Sequence, residues 1–127
     1  MKEISVTLSV KGGGKDEKIR AAGQKEIVSA EVVAYNFSTE NAVYTIEIYK
    51  DKAVIICNGD LSYRMILNSG SVHETTIKST FGNIEAKIQT ERLFIKKNKK
   101  GVEVEAEYFL IFQGFADLHK IRFSVEE

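Results

Sequence analysis

The chain has 127 residues, and its eighteen basic residues are balanced by eighteen acidic ones. This length is typical of one domain, so residues 1–127 are treated as a single unit. A neutral chain has no strong field to attract a polyanion. The composition therefore argues against a nucleic-acid-binding protein and against one held at a membrane surface by basic residues.

The amino terminus alternates polar and apolar residues, whereas a signal peptide needs a continuous apolar run. No stretch approaches the length of a membrane-spanning helix. The single cysteine, Cys57, excludes an intramolecular disulfide and fits a reducing compartment. These features predict a cytoplasmic protein with no membrane partner.

The first element shows the alternation of a half-buried strand, with Ile4, Val6, Leu8 and Val10 on one face. Gly12 to Gly14 end it in a hairpin turn. Residues 16–24 leave two readings open, because Asp16 could cap a short helix while the segment also suits a strand or irregular chain. Residues 26–37 are rich in β-branched and aromatic side chains, which predicts one long strand, with a bend as an alternative.

The remaining chain repeats short alternating segments between turn residues. The pair Asn58-Gly59, followed by Asp60, predicts a type I′ hairpin turn because Asn and Gly tolerate positive φ angles. The predicted strands cover residues 44–48, 53–57, 61–67, 72–80, 84–89, 92–96, 102–112 and 118–125. Turns are predicted at 38–41, 51–52, 68–70, 82–83 and 96–101.

Short strands, short connections and the lack of a helical period indicate an all-β domain of antiparallel hairpins. We predict a single antiparallel β-barrel of about 8–10 strands, because closure removes exposed sheet edges. A β-sandwich is the alternative. No repeat or linker divides residues 1–127.

Two segments raise the question of phosphate binding. Residues 12–15 read GGGK, but Ser9 replaces the first glycine of a phosphate-binding loop and Asp16 follows the lysine. Residues 96–101 form a basic run with only Phe94 as a nearby aromatic, which favours a solvated hairpin. Neither segment predicts a nucleic-acid or nucleotide site.

No catalytic or metal constellation stands out. His73, His119 and Cys57 are far apart and lack the spacing of zinc ligands. Cys57 ends an apolar strand with no neighbouring cation to lower its pKa, which favours a small buried side chain over a reactive thiol. The sequence therefore predicts no cofactor, no metal and no enzyme activity.

From about Val43 onward the chain resembles the YwiB family of bacterial proteins, whose lipocalin-like (calycin-type) barrels have no established activity. The order and spacing of several features carry this resemblance: TIEI at 45–48, Gly59, Met65, Phe81-Gly82, Thr90, the alternation of Tyr108 and Leu110, and Gly114. The resemblance implies a barrel fold and no particular mechanism.

The departures from the family pattern fall at polar positions. An arginine is usual where Cys57 stands here, and a tyrosine and a threonine are usual near Ile77 and Ser79. A Tyr-Glu-Glu-like segment is replaced by residues 35–37. These differences argue against a polar site shared with the family.

Three functional hypotheses follow. In the first, the barrel interior binds a small, mostly apolar molecule, because an eight-stranded barrel has room for one small ligand. Arg64 would be its polar anchor, or pair with Glu47 on the surface instead. The proposed lining residues are Tyr35, Tyr44, Phe81, Tyr108 and Phe112. In the second, a filled barrel acts through its outer surface or forms a homodimer. An enzyme is the least favoured.

Overall fold

The computed structural model describes the backbone of residues 2–127 and the side chains from Glu3 onward. Ten strands form one sheet, and the described residues form no helix. The strands are β1 (Lys2–Gly12), β2 (Lys15–Ile27), β3 (Val33–Ser38), β4 (Ala42–Ile48), β5 (Ala53–Gly59), β6 (Tyr63–Leu67), β7 (Val72–Ser79), β8 (Gly82–Asn98), β9 (Gly101–Phe112) and β10 (Phe115–Glu126).

The strand order is β6-β5-β4-β3-β2-β1-β10-β9-β8-β7, and all nine pairings in this sheet are antiparallel. The two edge strands, β6 and β7, meet at a bridge between Ser62 and Lys78. The amide nitrogens of these residues donate to each other's carbonyl oxygens over 2.9 and 2.8 Å. The single sheet is thus a nearly closed barrel, which confirms the predicted barrel and excludes the sandwich.

Alternation along each strand separates the interior from the surface. The inner face of β1 consists of the four apolar residues predicted from the sequence, and Val6 is completely buried. Register carries the same face round the barrel, since Val6 pairs with Val125 on β10 and Val125 pairs with Val102 on β9. One continuous apolar core results.

The predicted strand over residues 26–37 is wrong. The chain reverses between Ile27 and Val33, and the amide of Val28 donates to the carbonyl of Val32 over 3.0 Å. The residues on both sides of this turn have high β-propensity, so the sequence gives no sign of the reversal. Propensity measures how well a side chain suits a pleated sheet surface and carries no information on chain direction. The ambiguous segment 16–24 lies within β2 and is a strand.

The turn predicted at Asn58-Gly59 is also misplaced. Gly59 ends β5 and lacks a positive φ angle, and the chain turns at Asp60 and Leu61 instead. A Cβ atom at residue 59 would collide with the carbonyl oxygen of Asn41. Glycine is therefore required here by the close approach of two backbones.

The two strands predicted over 84–89 and 92–96 are one strand, β8. A β-bulge between Thr90 and Arg92 adds one residue, so the inward positions change from even to odd numbers at that point. The amide of Thr90 donates to the carbonyl of Ser71 over 3.0 Å. The bulge explains why a single alternating pattern fails across this segment.

Candidate ligand cavity

The two ends of the barrel are built differently. The connections β1–β2, β3–β4, β5–β6, β7–β8 and β9–β10 all lie at one end, here called the hairpin end. The other connections, the first described residue Lys2 and the carboxyl terminus lie at the opposite end, here called the terminal end. The side chains named below place the cavity near the hairpin end.

The cavity has a volume of about 180 Å³ and is walled mainly by aliphatic side chains. Nine of the ten strands contribute, all except β3, because alternation aims every second side chain at the barrel axis. Its lining residues are Leu8, Val10, Glu17, Ile19, Tyr44, Ile55, Tyr63, Met65, Thr75, Ile77, Ile88, Tyr108, Leu110 and Ile121.

Three tyrosines supply most of the polar groups in this wall. Tyr44 stacks on Phe37 with ring centroids 5.0 Å apart, and Tyr108 stacks on His119 at 5.3 Å. Tyr63 enters from β6 opposite Cys57. Stacking holds the Tyr44 and Tyr108 rings in place.

The tyrosine hydroxyls remain protonated at neutral pH. Burial raises the pKa of Tyr44 and of Tyr108 to about 12, and it raises the pKa of Tyr63 further still. Among the described residues, the Tyr108 hydroxyl has no hydrogen-bond partner, and its oxygen atom is not fully buried. A neutral phenol in this position is a donor for an acceptor atom of a bound molecule.

Cys57 lies behind two of these tyrosines and is buried, with 3% of its surface exposed. Burial raises the pKa of its thiol, and hydrogen bonds from Tyr44 and Tyr63 oppose that rise. Its sulfur lies 3.5 Å from the carbonyl oxygen of Leu61. A protonated thiol in this setting is a poor nucleophile and fits the buried role predicted for it.

The cavity lies directly behind the seam between β6 and β7. Tyr63 and Met65 reach it from one side of the seam, while Thr75 and Ile77 reach it from the other. The Thr75 hydroxyl donates to the carbonyl oxygen of Arg64 over 2.8 Å. This side-chain hydrogen bond replaces one of the backbone hydrogen bonds that a continuous sheet would form here. This wall is held by fewer backbone bonds than any other.

His119 lies at the hairpin end on the inner side of β10. Its ring packs against Gly12, where an added Cβ atom would lie 2.7 Å from Nδ1, and Gly12 has a φ of 145°. Its Nε2 atom is buried and has no partner among the described residues. Burial lowers the pKa of His119, with an opposing effect of nearby Asp117, and favours a neutral imidazole.

Of the residues predicted to line a ligand site, Tyr44 and Tyr108 do line the cavity. Tyr35 does not, because it lies in the packed core with its ring 5.7 Å from that of Phe123. Phe112 ends β9 beyond Leu110 and is half-buried outside the lining.

The predictions for Arg64 and Phe81 are wrong. Arg64 is exposed on the outer face of β6, because its neighbours Tyr63 and Met65 take the inward positions. It pairs in register with Ile56, while Glu47 pairs with Val54, so the suggested cross-strand pair does not form. Phe81 is at the tip of the β7–β8 hairpin and is 99% exposed.

Sequence reasoning missed Tyr63, Thr75 and Glu17. Tyr63 was recognisable, because it shares the alternation of Met65 and Leu67. Thr75 and Glu17 give no such signal in the sequence. The role of Thr75 depends on how β7 meets β6, and the role of Glu17 depends on where β2 reaches the mouth of the cavity.

No three side chains of the metal-ligating types converge within residues 2–127. In the same part of the chain, no helix is long and apolar enough to cross a membrane.

A family model described as a domain of unknown function, DUF1934, matches residues 4–122. The chain belongs to the DUF1934 family. A crystal structure of the YwiB protein from Bacillus subtilis is similar, with a TM-score of 0.75 and 15% identity. The match covers 98% of this chain and 89% of that one. At this identity the likeness shows the shared barrel fold. A comparison with curated proteins finds no match.

Proposed function

We propose that the barrel binds one small, mostly apolar molecule that carries a hydrogen-bond acceptor. The observation that supports this is the cavity of about 180 Å³ with three tyrosines in an otherwise aliphatic wall. A filled core would instead close this space to native density. The aliphatic wall provides affinity, and the hydroxyl of Tyr108, which has no partner among the described residues, orients the acceptor.

The volume limits the ligand. A cavity of about 150 Å³ holds benzene, whereas pockets for drug-sized molecules begin near 300 Å³. The barrel therefore suits a molecule of one ring or a short branched chain. A long fatty acid exceeds this space. Glu17 at the mouth disfavours an anionic end group there, so a neutral acceptor such as a carbonyl is preferred.

Acetophenone is a suitable probe because it has one ring and one carbonyl acceptor, and ethylbenzene is its matched control without the acceptor. Titration followed by amide NMR should shift residues of the cavity wall, with acetophenone binding more tightly than ethylbenzene. Tyr108→Phe should remove about 1 kcal/mol of that preference by deleting one donor. Tyr49→Phe is the matched variant, because Tyr49 bonds to Glu47 outside the cavity.

Native mass spectrometry of the protein from its own source tests the proposal independently. A bound mass of roughly 80 to 200 Da would support it, in line with a cavity of benzene size. An apo mass, together with no cavity shifts for either probe, contradicts it. A dimer without ligand would instead favour the outer-surface hypothesis, for which the exposed Phe81 and Phe115 of the hairpin end are the leading contacts.

A further inference from the structure

A second concave region lies on the outer surface, away from the cavity. Three adjacent strands, β2, β1 and β10, turn small hydroxyl residues outward at its centre. Thr7 pairs with Arg20 on one side and Ser124 on the other, and Ser9 pairs with Lys18 and Arg122. The region defined by these six residues is called the outer trough, and its volume is about 260 Å³.

The shape of the outer trough follows from side-chain length. Serine and threonine form its floor, while the long side chains of Lys18, Arg20 and Arg122 form its walls. Lys18 and Arg122 stand on opposite sides of β1, about 10 Å apart at their backbones, given the usual spacing of neighbouring strands. A group of a few ångströms therefore fits between the walls above the floor.

The charge of the outer trough is of one sign. Its lining contains three cations and no carboxylate. Lys18 and Arg20 form no ion pair within the described part of the chain. Arg122 contacts Glu103 and Glu105 at 3.5 and 3.4 Å, but all three side chains are largely exposed, and such pairs contribute little. Lys18 and Arg20 are therefore the two cations of the trough whose charge no carboxylate of the described residues offsets.

The floor also has unused hydrogen-bonding capacity. Thr7, Ser9 and Ser124 are half-buried, and their hydroxyls have no protein partner among residues 2–127. Each hydroxyl is a donor as well as an acceptor. Three free hydroxyl donors beneath three cations are the complement of an oxyanion with several oxygen atoms.

We propose that the outer trough binds the phosphate group of a small phosphorylated molecule. A larger groove of about 540 Å³ continues from the trough and shares Ser9, Lys18 and Arg122 with it. This extension would hold the rest of the molecule. It mixes basic residues with Asp16, Glu105 and Glu107, and it ends near the exposed ring of Phe94.

The mixed charge of the extension decides the ligand class. A nucleic-acid strand would place successive phosphates along the groove, where Glu105 and Glu107 would repel them. One phosphate in the trough and an uncharged polar or planar body in the extension avoid this repulsion. The site therefore suits a phosphomonoester. It stands independently of the cavity, because it lies on the opposite face of the same sheet.

The test uses the whole chain and three probes at constant ionic strength: inorganic phosphate, ribose 5-phosphate and ribose. Amide NMR should show saturable shifts at Thr7, Ser9 and Ser124 for both phosphates and none for ribose. Ribose 5-phosphate should bind more tightly than inorganic phosphate, because its sugar contacts the extension.

Two exposed positions provide matched variants. Arg20→Gln removes a wall cation and should weaken phosphate binding three- to tenfold. Arg64→Gln removes an arginine that is also exposed, on the outer face of β6 several strands away, and should leave phosphate binding unchanged. Both changes leave the core intact, and the NMR spectrum reports folding directly.

Equal weakening by Arg20→Gln and Arg64→Gln would overturn the proposal, since it would indicate nonspecific attraction to cations. So would shifts scattered over surface lysines instead of the trough. Tighter binding of a ten-residue oligothymidylate than of ribose 5-phosphate, with a steep salt dependence, would also overturn it and assign the face to nucleic acid.

Discussion

The two ends of the barrel interior use the same strands for different purposes. Toward the terminal end, aliphatic and aromatic side chains pack together in the core, and Ile48, Leu67 and Phe123 are at most 2% exposed. Toward the hairpin end, Val10, Ile19 and Leu110 are only partly buried around the cavity. One half of the barrel thus provides the stability that lets the other half remain hollow.

The largest expected effect separates these halves directly. Phe123→Ala should lower the free energy of unfolding by about 3–5 kcal/mol, because it opens a cavity in the packed end. Leu110→Ala at the hollow end should cost about 1 kcal/mol, since this side chain is already partly exposed. Urea unfolding followed by circular dichroism measures both values. Similar losses of unfolding free energy for the two variants would show that the hollow end contributes as much to stability as the packed end.

A smaller effect is expected at the seam between β6 and β7. Thr75→Val preserves shape but leaves the carbonyl of Arg64 without its donor, which should cost about 1–2 kcal/mol. Amide hydrogen exchange should then accelerate in β6 and β7 before other strands. Thr76→Val is the control, because the Thr76 hydroxyl bonds to the exposed carboxylate of Glu85. Uniform acceleration around the barrel would argue against a weak seam.

The smallest effect concerns pH at the hollow end. Burial lowers the pKa of His119 below its ordinary value of 6.5. The unfolded chain then binds a proton more readily than the native one, so this contribution to stability is present above pH 6.5 and is lost as the pH falls toward the folded pKa. His119→Phe keeps the ring that stacks on Tyr108 and should flatten the pH dependence of unfolding between pH 8 and 5. An unchanged slope would exclude His119 as its source.

The sequence predicted the interior better than the connections. The alternation of Val102, Val104, Ala106 and Tyr108 identified the inward face of β9, and all four are buried. The same reasoning misplaced the turn at Asn58-Gly59. Burial of one face imposes alternation at every second residue of a strand. The position of a turn is decided locally, by close contacts between backbones.

Tyr44 and Tyr108 border the cavity, and their inward direction follows from alternation alone; their role in binding a ligand stays a prediction. The prediction for Arg64 failed because it went against the same alternation: Tyr63 and Met65 take the inward positions of β6, so Arg64 between them faces outward. The prediction for Phe81 failed because a hairpin tip lies beyond the barrel wall, where an aromatic residue has nothing to pack against.

The sequence by itself determined an all-β domain with strands of alternating face, since a period of two is a local property of each strand. Only the tertiary structure decided how the barrel closes, at Ser62 and Lys78, and which end stays hollow. It alone also brought Lys18, Arg20 and Arg122 together beside small hydroxyl residues. These features depend on the register between strands distant in the chain, and that register is set by packing the whole core at once.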